Sequence, residues 1–416
     1  MTQSFDLIVI GVGMAAVTAA NKCASAGWSV AVVDELPYGG TCALRGCDPK
    51  KMLRRGAEII DAASLMNGKG IEPGSLAINW SDLMAFKRAF TEKMPPKIES
   101  GLDKNGVTTL HGSAKFIAEN IIEVDGKTRL QAKKILFVGG GFISFEFAHI
   151  AARAGSDVQI IDRGERPLKG FDPDLVDKLL ERSKEAGIEV VKKTSLISIA
   201  KEGSGYSVTL DVDGNIQEYS ADLIVHGAGR VPAIDDLDPD KAGVESDAHG
   251  VKVNEYLQSI SNPSIYAAGD AADTKGAPLT PVAVFEGKAV ASNMLKGNHA
   301  KPDYKGVPIV VFTIPELARV GMLEEEAKTA GYKLRIATND TSGWYSNLRV
   351  GETCAATKVI IDDETGKILG AHLLGPEYAE IINFFGLAMR LDLTTSELEK
   401  MVSAYPSVGS DVGSML

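Results

Sequence analysis

One pattern occurs twice in this chain and leaves it few folds to choose from. The apolar run Phe5 to Ile10 reads as a buried parallel strand and leads into Gly11-Val12-Gly13-Met14-Ala15-Ala16. Gly11 permits a tight turn, Gly13 lets the backbone approach a pyrophosphate, and Ala16 is small enough for the next helix to sit close to the strand. The helix N-terminus would add amide donors and partial positive charge for that phosphate. The spacing predicts a helix from Ala15 to about Ala26, a stop at Gly27, and a second strand from Ser29 to Val33. Asp34 follows, 23 positions after Gly11, where it can accept from ribose hydroxyls. The second copy runs through strand Lys134 to Val138, loop Gly139-Gly140-Gly141-Phe142-Ile143-Ser144, a helix to about Ala154 and strand Val158 to Ile161. Asp162 again falls 23 positions after the first glycine. One such loop is weak evidence and two complete units are strong. Two dinucleotides imply a relay in which a nicotinamide passes hydride to a flavin. The plainer alternative is one nucleotide site and a decayed duplicate.

A chain of 416 residues exceeds one ordinary core, so two to four domains are expected. The net charge of -11 offers no general attraction for nucleic acid or anionic lipid and suits a small-molecule enzyme. Four cysteines are far too few for a secreted disulfide scaffold. The apolar stretch from Phe5 to Ala20 has no Lys or Arg before it and is interrupted by Asp6 and glycines, so it reads as no targeting signal. No apolar run reaches the ~18 residues that span a bilayer. A soluble, cytoplasmic protein without membrane or nucleic-acid partners is the expectation.

Two of the cysteines stand together in Gly39-Gly40-Thr41-Cys42-Ala43-Leu44-Arg45-Gly46-Cys47-Asp48-Pro49-Lys50-Lys51. Their spacing is close to a helical i, i+5 offset, with glycines to adjust the turn. An exposed or strained bridge of this kind is easily reduced, which suits catalysis more than scaffolding. The alternatives are a metal site or two inert thiols. Zinc wants four ligands, and no second Cys or His pair lies nearby, so no metal is expected. Arg45, Lys50 and Lys51 are candidates to hold a thiolate.

At these residues the chain resembles the flavoprotein disulfide reductases, the class that includes glutathione reductase, dihydrolipoamide dehydrogenase and mercuric reductase. The likeness extends over most of the chain, through the Gly139 to Glu146 loop, His226-Gly227-Ala228-Gly229-Arg230-Val231-Pro232, Ile265-Tyr266-Ala267-Ala268-Gly269-Asp270 and Leu279-Thr280-Pro281-Val282-Ala283. It implies an α/β fold of two Rossmann-like domains, for FAD and NAD(P), with a C-terminal α+β dimerisation domain and a homodimer. It implies hydride flow from NAD(P)H through FAD to the bridge. Cys42 would attack a small-molecule disulfide or similar soft electrophile, and Cys47 would face the flavin. Lys51 and Glu146 resemble the ion pair beside the flavin ring, and Phe142 sits where relatives often have a shielding tyrosine. Gly11, Gly13, Ala16, Asp34, Gly40, Thr41 and Asp270 would serve FAD. Gly139, Gly141, Ser144, Asp162, Arg163 and Gly229 would serve NAD(P)H.

The expected domains are 1–134 with 246–300 for FAD, 135–245 for NAD(P)H, and 301–416 for dimerisation. Within these the pattern places a crossover helix at Leu175 to Gly187, a late strand at Ala221 to Val225, and a helix at Pro281 to Leu295. C-terminal strands are expected at Val310 to Phe312, Thr357 to Ile361 and Lys367 to Leu374, and helices at Glu377 to Leu391 and Ser396 to Ser403. Three departures stand out. Tyr405 replaces the family's acid-base His, and Ser410 stands near its Glu. Thr128 to Lys134 runs straight into the strand expected to open the nicotinamide domain, where relatives have a separate strand and a linker, so one strand is asked to serve two sheets. Asp162 favours NAD, whereas Arg163 and Arg166 could pair with the extra phosphate of NADP. Mercuric-ion reduction, and a truncated non-catalytic nucleotide-binding or redox-sensing protein, are the alternatives to a disulfide reductase. For the former, Cys354 is alone where a C-terminal cysteine pair is found in many such enzymes.

Overall fold

A computed structural model describes residues 2–118, 120–137, 144–225, 227, 229 and 231–416, with the backbone alone for 129–137. Loop residues Gly139 to Ile143, with His226, Ala228 and Arg230, lie outside the described residues. The chain forms two compact units, Met1–Leu53 with Ser81–Phe142 and Gly229–Tyr304, and Arg54–Trp80 with Ile143–Ala228 and Lys305–Leu416.

The first unit is built on strand Thr2–Ile10, followed by helix Met14–Ser25 and strand Val30–Asp34. Leu7, Ile8 and Val9 pair in parallel with Val30, Ala31 and Val32. Parallel strands covered on both faces need apolar residues on both faces, which is why these runs lack polar alternation. Leu7 and Val9 enter one core with Ala15, Ala19, Val290 and Met294. Ile8, one residue on and so on the opposite face, joins Ala31, Phe116, Ile122, Ile265 and Ala267 in the other.

The critical element is the ten-residue strand Thr128–Phe137. Its first half closes an antiparallel meander, with Ile122 opposite Leu130. Its second half lies in the parallel sheet, where Ile135 pairs with Ile8 on one side and Ile265 on the other. Residues 135–137, expected to open the nicotinamide domain, therefore continue the first sheet, and the boundary drawn at 134/135 falls inside one strand. Residues 229–245 also differ from expectation. Ile234, Leu237, Ala242 and Val244 pack into the first unit's core with Phe116 and Ile122.

The second unit bears the consequence. Strand Val158–Ile161 pairs with Ile188–Val191 in a sheet of two strands. The late strand expected at Ala221 to Val225 is not formed; Ala221 ends the meander strand Asn215–Ala221, and Leu223 and Val225 are 75% and 62% exposed. The physical reason is that a parallel strand needs a neighbour, and among the described residues none pairs with 222–225.

The C-terminal segments of this unit form a five-stranded antiparallel sheet, ordered Ile309–Val311, Glu316–Gly321, Ile368–Gly375, Ala356–Asp362, Leu334–Asp340. Helix Tyr378–Arg390 covers one face through Ile381, Ile382 and Phe385. Helix Pro173–Glu185 covers the other through Leu175, Val176 and Leu179, its start capped by the Asp172 carboxylate. The last expected helix is one short turn, Thr395–Leu398, followed by irregular chain.

In the first unit helix Thr280–Lys296 packs against Met14–Ser25 at close range. A Cβ on Gly287 would lie 2.6 Å from the Ala15 carbonyl oxygen and 3.0 Å from its Cα. Gly287→Ala should therefore push the helices apart and cost about 1–3 kcal/mol. Urea denaturation reads this directly, and an unchanged midpoint would remove that contact from the fold.

Candidate active site: a thiol pair beside a glycine-lined turn

The two thiols sit on two separate helical pieces and not on one. Cys42 lies in the short helix Gly40–Leu44, and Cys47 is the first residue of the 19-residue helix Cys47–Leu65. The chain breaks between them at Arg45 and Gly46, and Gly46 packs closely there, since a Cβ on it would come 3.0 Å from the Thr41 carbonyl oxygen. Asp48-Pro49 just inside the helix start is an N-terminal signal legible in the sequence, and it separates the pair into two pieces where the spacing alone suggests one helical offset.

This break brings the sulfurs together. Both are free thiols, Cys42 half-buried and Cys47 exposed. The Cys42 thiol donates a hydrogen bond to the Cys47 sulfur, which holds Cys47 down to about 6; Thr280 and the charge of Lys50 act in the same direction. The same bond, together with burial, pushes Cys42 up. The Thr280 hydroxyl lies 3.4 Å from the Cys47 sulfur, at the start of helix Thr280–Lys296. Cys47 also sits at a helix N-terminus, where the dipole favours an anion. The reduced pair thus carries one proton, on Cys42, and one thiolate, on Cys47.

The glycine-rich turn lies in the same unit. Gly11 has φ 87°, and Gly13 precedes helix Met14–Ser25 without a side-chain cap, so the first amides of that helix are open to a ligand. Gly40 packs on this turn; a Cβ there would meet the Gly13 Cα at 2.7 Å. The dithiol segment is thereby seated against the turn. Asp34 braces it, one carboxylate oxygen accepting from the Val12 amide at 2.8 Å and the other from Leu36 at 2.9 Å. Ala16 is fully buried. Thr41 stands between Gly40 and Cys42, and Asp270 is the middle residue of the short turn Gly269–Ala271. A backbone-lined cradle at a helix start, with the Asp34 carboxylate bonded to it, fits the pyrophosphate and ribose of a dinucleotide such as FAD.

Of the remaining expected residues, Lys51 is exposed on helix Cys47–Leu65, and Glu146 is buried and accepts from the Phe312 amide at 2.8 Å. Ser144 opens helix Ser144–Arg153 and packs so tightly on Gly227 that a Cβ there would fall 1.6 Å from its hydroxyl oxygen. Gly227 is a requirement that motif spacing alone had not separated from Gly229, whose φ is 116°. Asp162 follows strand Val158–Ile161 and accepts from the Gly164 amide at 2.7 Å, and Arg163 is exposed. Tyr405 is 80% exposed, and the Ser410 hydroxyl donates to the Ser407 carbonyl. Cys354 is buried away from any thiol chemistry, its pKa pushed up to about 12 by burial. Among the described residues no cluster of His, Cys, Asp and Glu is arranged to hold a metal ion.

Comparison with known proteins agrees with this geometry. A model described as pyridine nucleotide-disulphide oxidoreductase matches residues 5–137 and 122–287, and one for that family's dimerisation domain matches 307–415. The first two matches overlap on 122–137, so the strand that closes the first sheet is claimed twice. A glutathione reductase of Nostoc sp. is 30% identical over 463 aligned positions, covering all of both chains. A 19.7 kDa protein of a mercuric resistance operon in Staphylococcus aureus is 50% identical over 177 residues, 42% of this chain and 98% of that one. The HOCl-induced flavoprotein disulfide reductase RclA of Escherichia coli, in its Cu(II) complex, has the same fold, with a TM-score of 0.88 at 23% identity over 99% of both chains.

The thiol geometry makes a direct prediction. Cys42→Ala removes the donor to Cys47, so the Cys47 thiolate should titrate upward from about 6 toward the ordinary thiol range. Thiolate absorbance of the reduced protein against pH reads this. A midpoint that stays put would assign the low value to the helix start and Lys50 alone.

Proposed function

Because the chain belongs to the pyridine nucleotide-disulphide oxidoreductase family, we propose that the Cys42–Cys47 pair is its working centre and that a small-molecule disulfide is its acceptor. The protein is an FAD-dependent oxidoreductase that draws electrons from NAD(P)H. FAD supplies the two-electron carrier between nicotinamide and sulfur. Gly11, Gly13 and Ala16 with the start of helix Met14–Ser25 would receive its pyrophosphate. Asp34 would take the ribose, Gly40 and Thr41 the approach to the thiols, and Asp270 the polar chain toward the ring. Gly139, Gly141, Ser144, Asp162, Arg163 and Gly229 would hold the nicotinamide dinucleotide, and Lys51 with Glu146 the ion pair beside the flavin ring. The C-terminal region, matched to the dimerisation domain, supports a homodimer. We read it as a cytoplasmic enzyme from its cysteine usage; no described helix is long and apolar enough to cross a membrane.

The observation that carries the mechanism is the contact of the two sulfurs, one donating to the other, beside the Thr280 hydroxyl. Cys42 gives up its proton and attacks one sulfur of the acceptor, forming a mixed disulfide and releasing one thiolate, which takes a proton. The Cys47 thiolate then attacks the Cys42 sulfur, closing the internal bridge and releasing the second thiolate. The acceptor gains two electrons, and the dithiol becomes a disulfide that NAD(P)H restores.

The weak point of that sequence is proton handling. Tyr405 is a phenol, which can donate a proton but is a weaker general base than the imidazole of the family. Ser410 cannot orient it as a carboxylate would. This favours, as a second reading, an acceptor whose reduction releases no thiol that must be protonated, such as the mercuric ion; a mercuric reductase of Staphylococcus aureus is 29% identical over 96% of this chain.

FAD-loaded protein should bleach anaerobically with NADH or NADPH. Cys42→Ser should then leave bleaching intact while disulfide turnover falls by more than about a hundredfold. Equal disulfide turnover by the mutant would remove the thiol relay, and turnover of mercuric ion but not of glutathione disulfide or lipoamide would establish the second reading. Asp162→His should raise the preference for NADPH, and an unchanged ratio of the two specificity constants would take Asp162 out of nucleotide selection.

A further inference from the structure

Helix Thr280–Lys296 carries Glu286, whose side chain is almost wholly removed from solvent at 1% exposure. A carboxylate that deep is tolerated only where donors converge on it. Three do. The Gly269 amide donates to one oxygen at 2.6 Å, and the Thr274 and Tyr304 hydroxyls donate to the other at 3.0 and 2.6 Å. Gly276 closes the cage, since a Cβ there would lie 2.9 Å from a Glu286 oxygen and 2.7 Å from the Tyr304 ring. None of the roles proposed above uses this residue.

Its connections reach both ends of the proposed site. Gly269 opens the turn whose middle residue is Asp270. The helix that bears Glu286 begins at Thr280, whose hydroxyl touches the Cys47 sulfur. Six residues of helix separate Thr280 from Glu286, roughly 9 Å along a rigid rod. We propose that Glu286 is a positioning residue that ties the Asp270 turn to the helix start beside Cys47, so that the flavin's polar chain and the thiol pair are held in one frame. This rests on the reading of Asp270 as a flavin contact. The chemistry requires a carboxylate. Glutamine offers a single acceptor oxygen, and its amide would turn a donor toward the Gly269 amide or toward two hydroxyls.

The test uses the full-length protein without and with FAD. Glu286→Gln should speed hydrogen exchange at the Gly269–Ala271 amides in FAD-free protein and raise the Kd for FAD about tenfold, the effect of leaving one buried donor unpaired. It should also shift the pH midpoint of the Cys47 thiolate, which a residue serving only the core would not do. Wild-type exchange, or a Kd and thiolate midpoint both indistinguishable from wild type, would overturn the proposal. Should Glu286→Gln not fold, Tyr304→Phe and Thr274→Val each remove one donor, and each should weaken FAD binding and shift the pH midpoint of the Cys47 thiolate; unaltered binding in both would overturn it equally. If wild-type protein itself fails to bind FAD, the flavin reading falls, and amide exchange alone judges Glu286.

Discussion

Everything in the first unit hangs on one strand having two neighbours. Thr128–Phe137 reaches the parallel sheet between Thr2–Ile10 and Ile265–Ala267, and among the described residues the last of these joins the sheet through it. The turn at Asp270 follows directly from Ile265–Ala267, so the placement of that carboxylate depends on this pairing. The glycine-rich turn depends on it from the other side, as the continuation of Thr2–Ile10. A dinucleotide cradle needs both, and the backbone ladder provides both.

The same residues cannot be paired twice. Two matches to the same family model overlap on 122–137, so one stretch of chain is claimed by two halves of the pattern. The first sheet takes the contested segment, since its partners Leu7, Ile8 and Val9 and Ile265 to Ala267 are already buried on both faces. The second unit keeps its C-terminal sheet and the pair Val158–Ile161 with Ile188–Val191, and leaves Leu223 and Val225 in solvent.

Much of this was legible in the residues. The strand, turn, helix and acid of the first nucleotide unit follow from apolar runs and glycine positions, and the structure places helix Met14–Ser25 and strand Val30–Asp34 within a residue or two of expectation. Strand Val158–Ile161 and the C-terminal strands were equally plain, because short apolar runs bounded by turn residues have few other uses. The two-sheet conflict at 134/135 was visible, but its outcome was not. Local pattern reports that a segment wants to be a strand, and only long-range pairing decides in which sheet. The Ser396 to Ser403 helix failed for a related reason, as the chain after Leu398 has helical composition but no apolar face to bury. At the site, Cys42 and Cys47 were evident from sequence, whereas the role of Glu286 and the contact of Thr280 with Cys47 were not. Thr280 lies in a stretch that resembles the family's, but its contact spans more than two hundred residues, which local pattern does not report.

The break at Gly46 has an energetic meaning for electron flow. By setting Cys47 at the head of its own helix, under a hydrogen bond from Cys42, it stabilises the open, electron-rich form of the pair relative to the closed bridge. Lowering the energy of the product of reduction makes the couple more oxidising. The bridge is thereby disposed to fill readily from its donor and to release electrons only to acceptors of comparable or higher potential, which narrows the range of molecules it can serve before any pocket is considered.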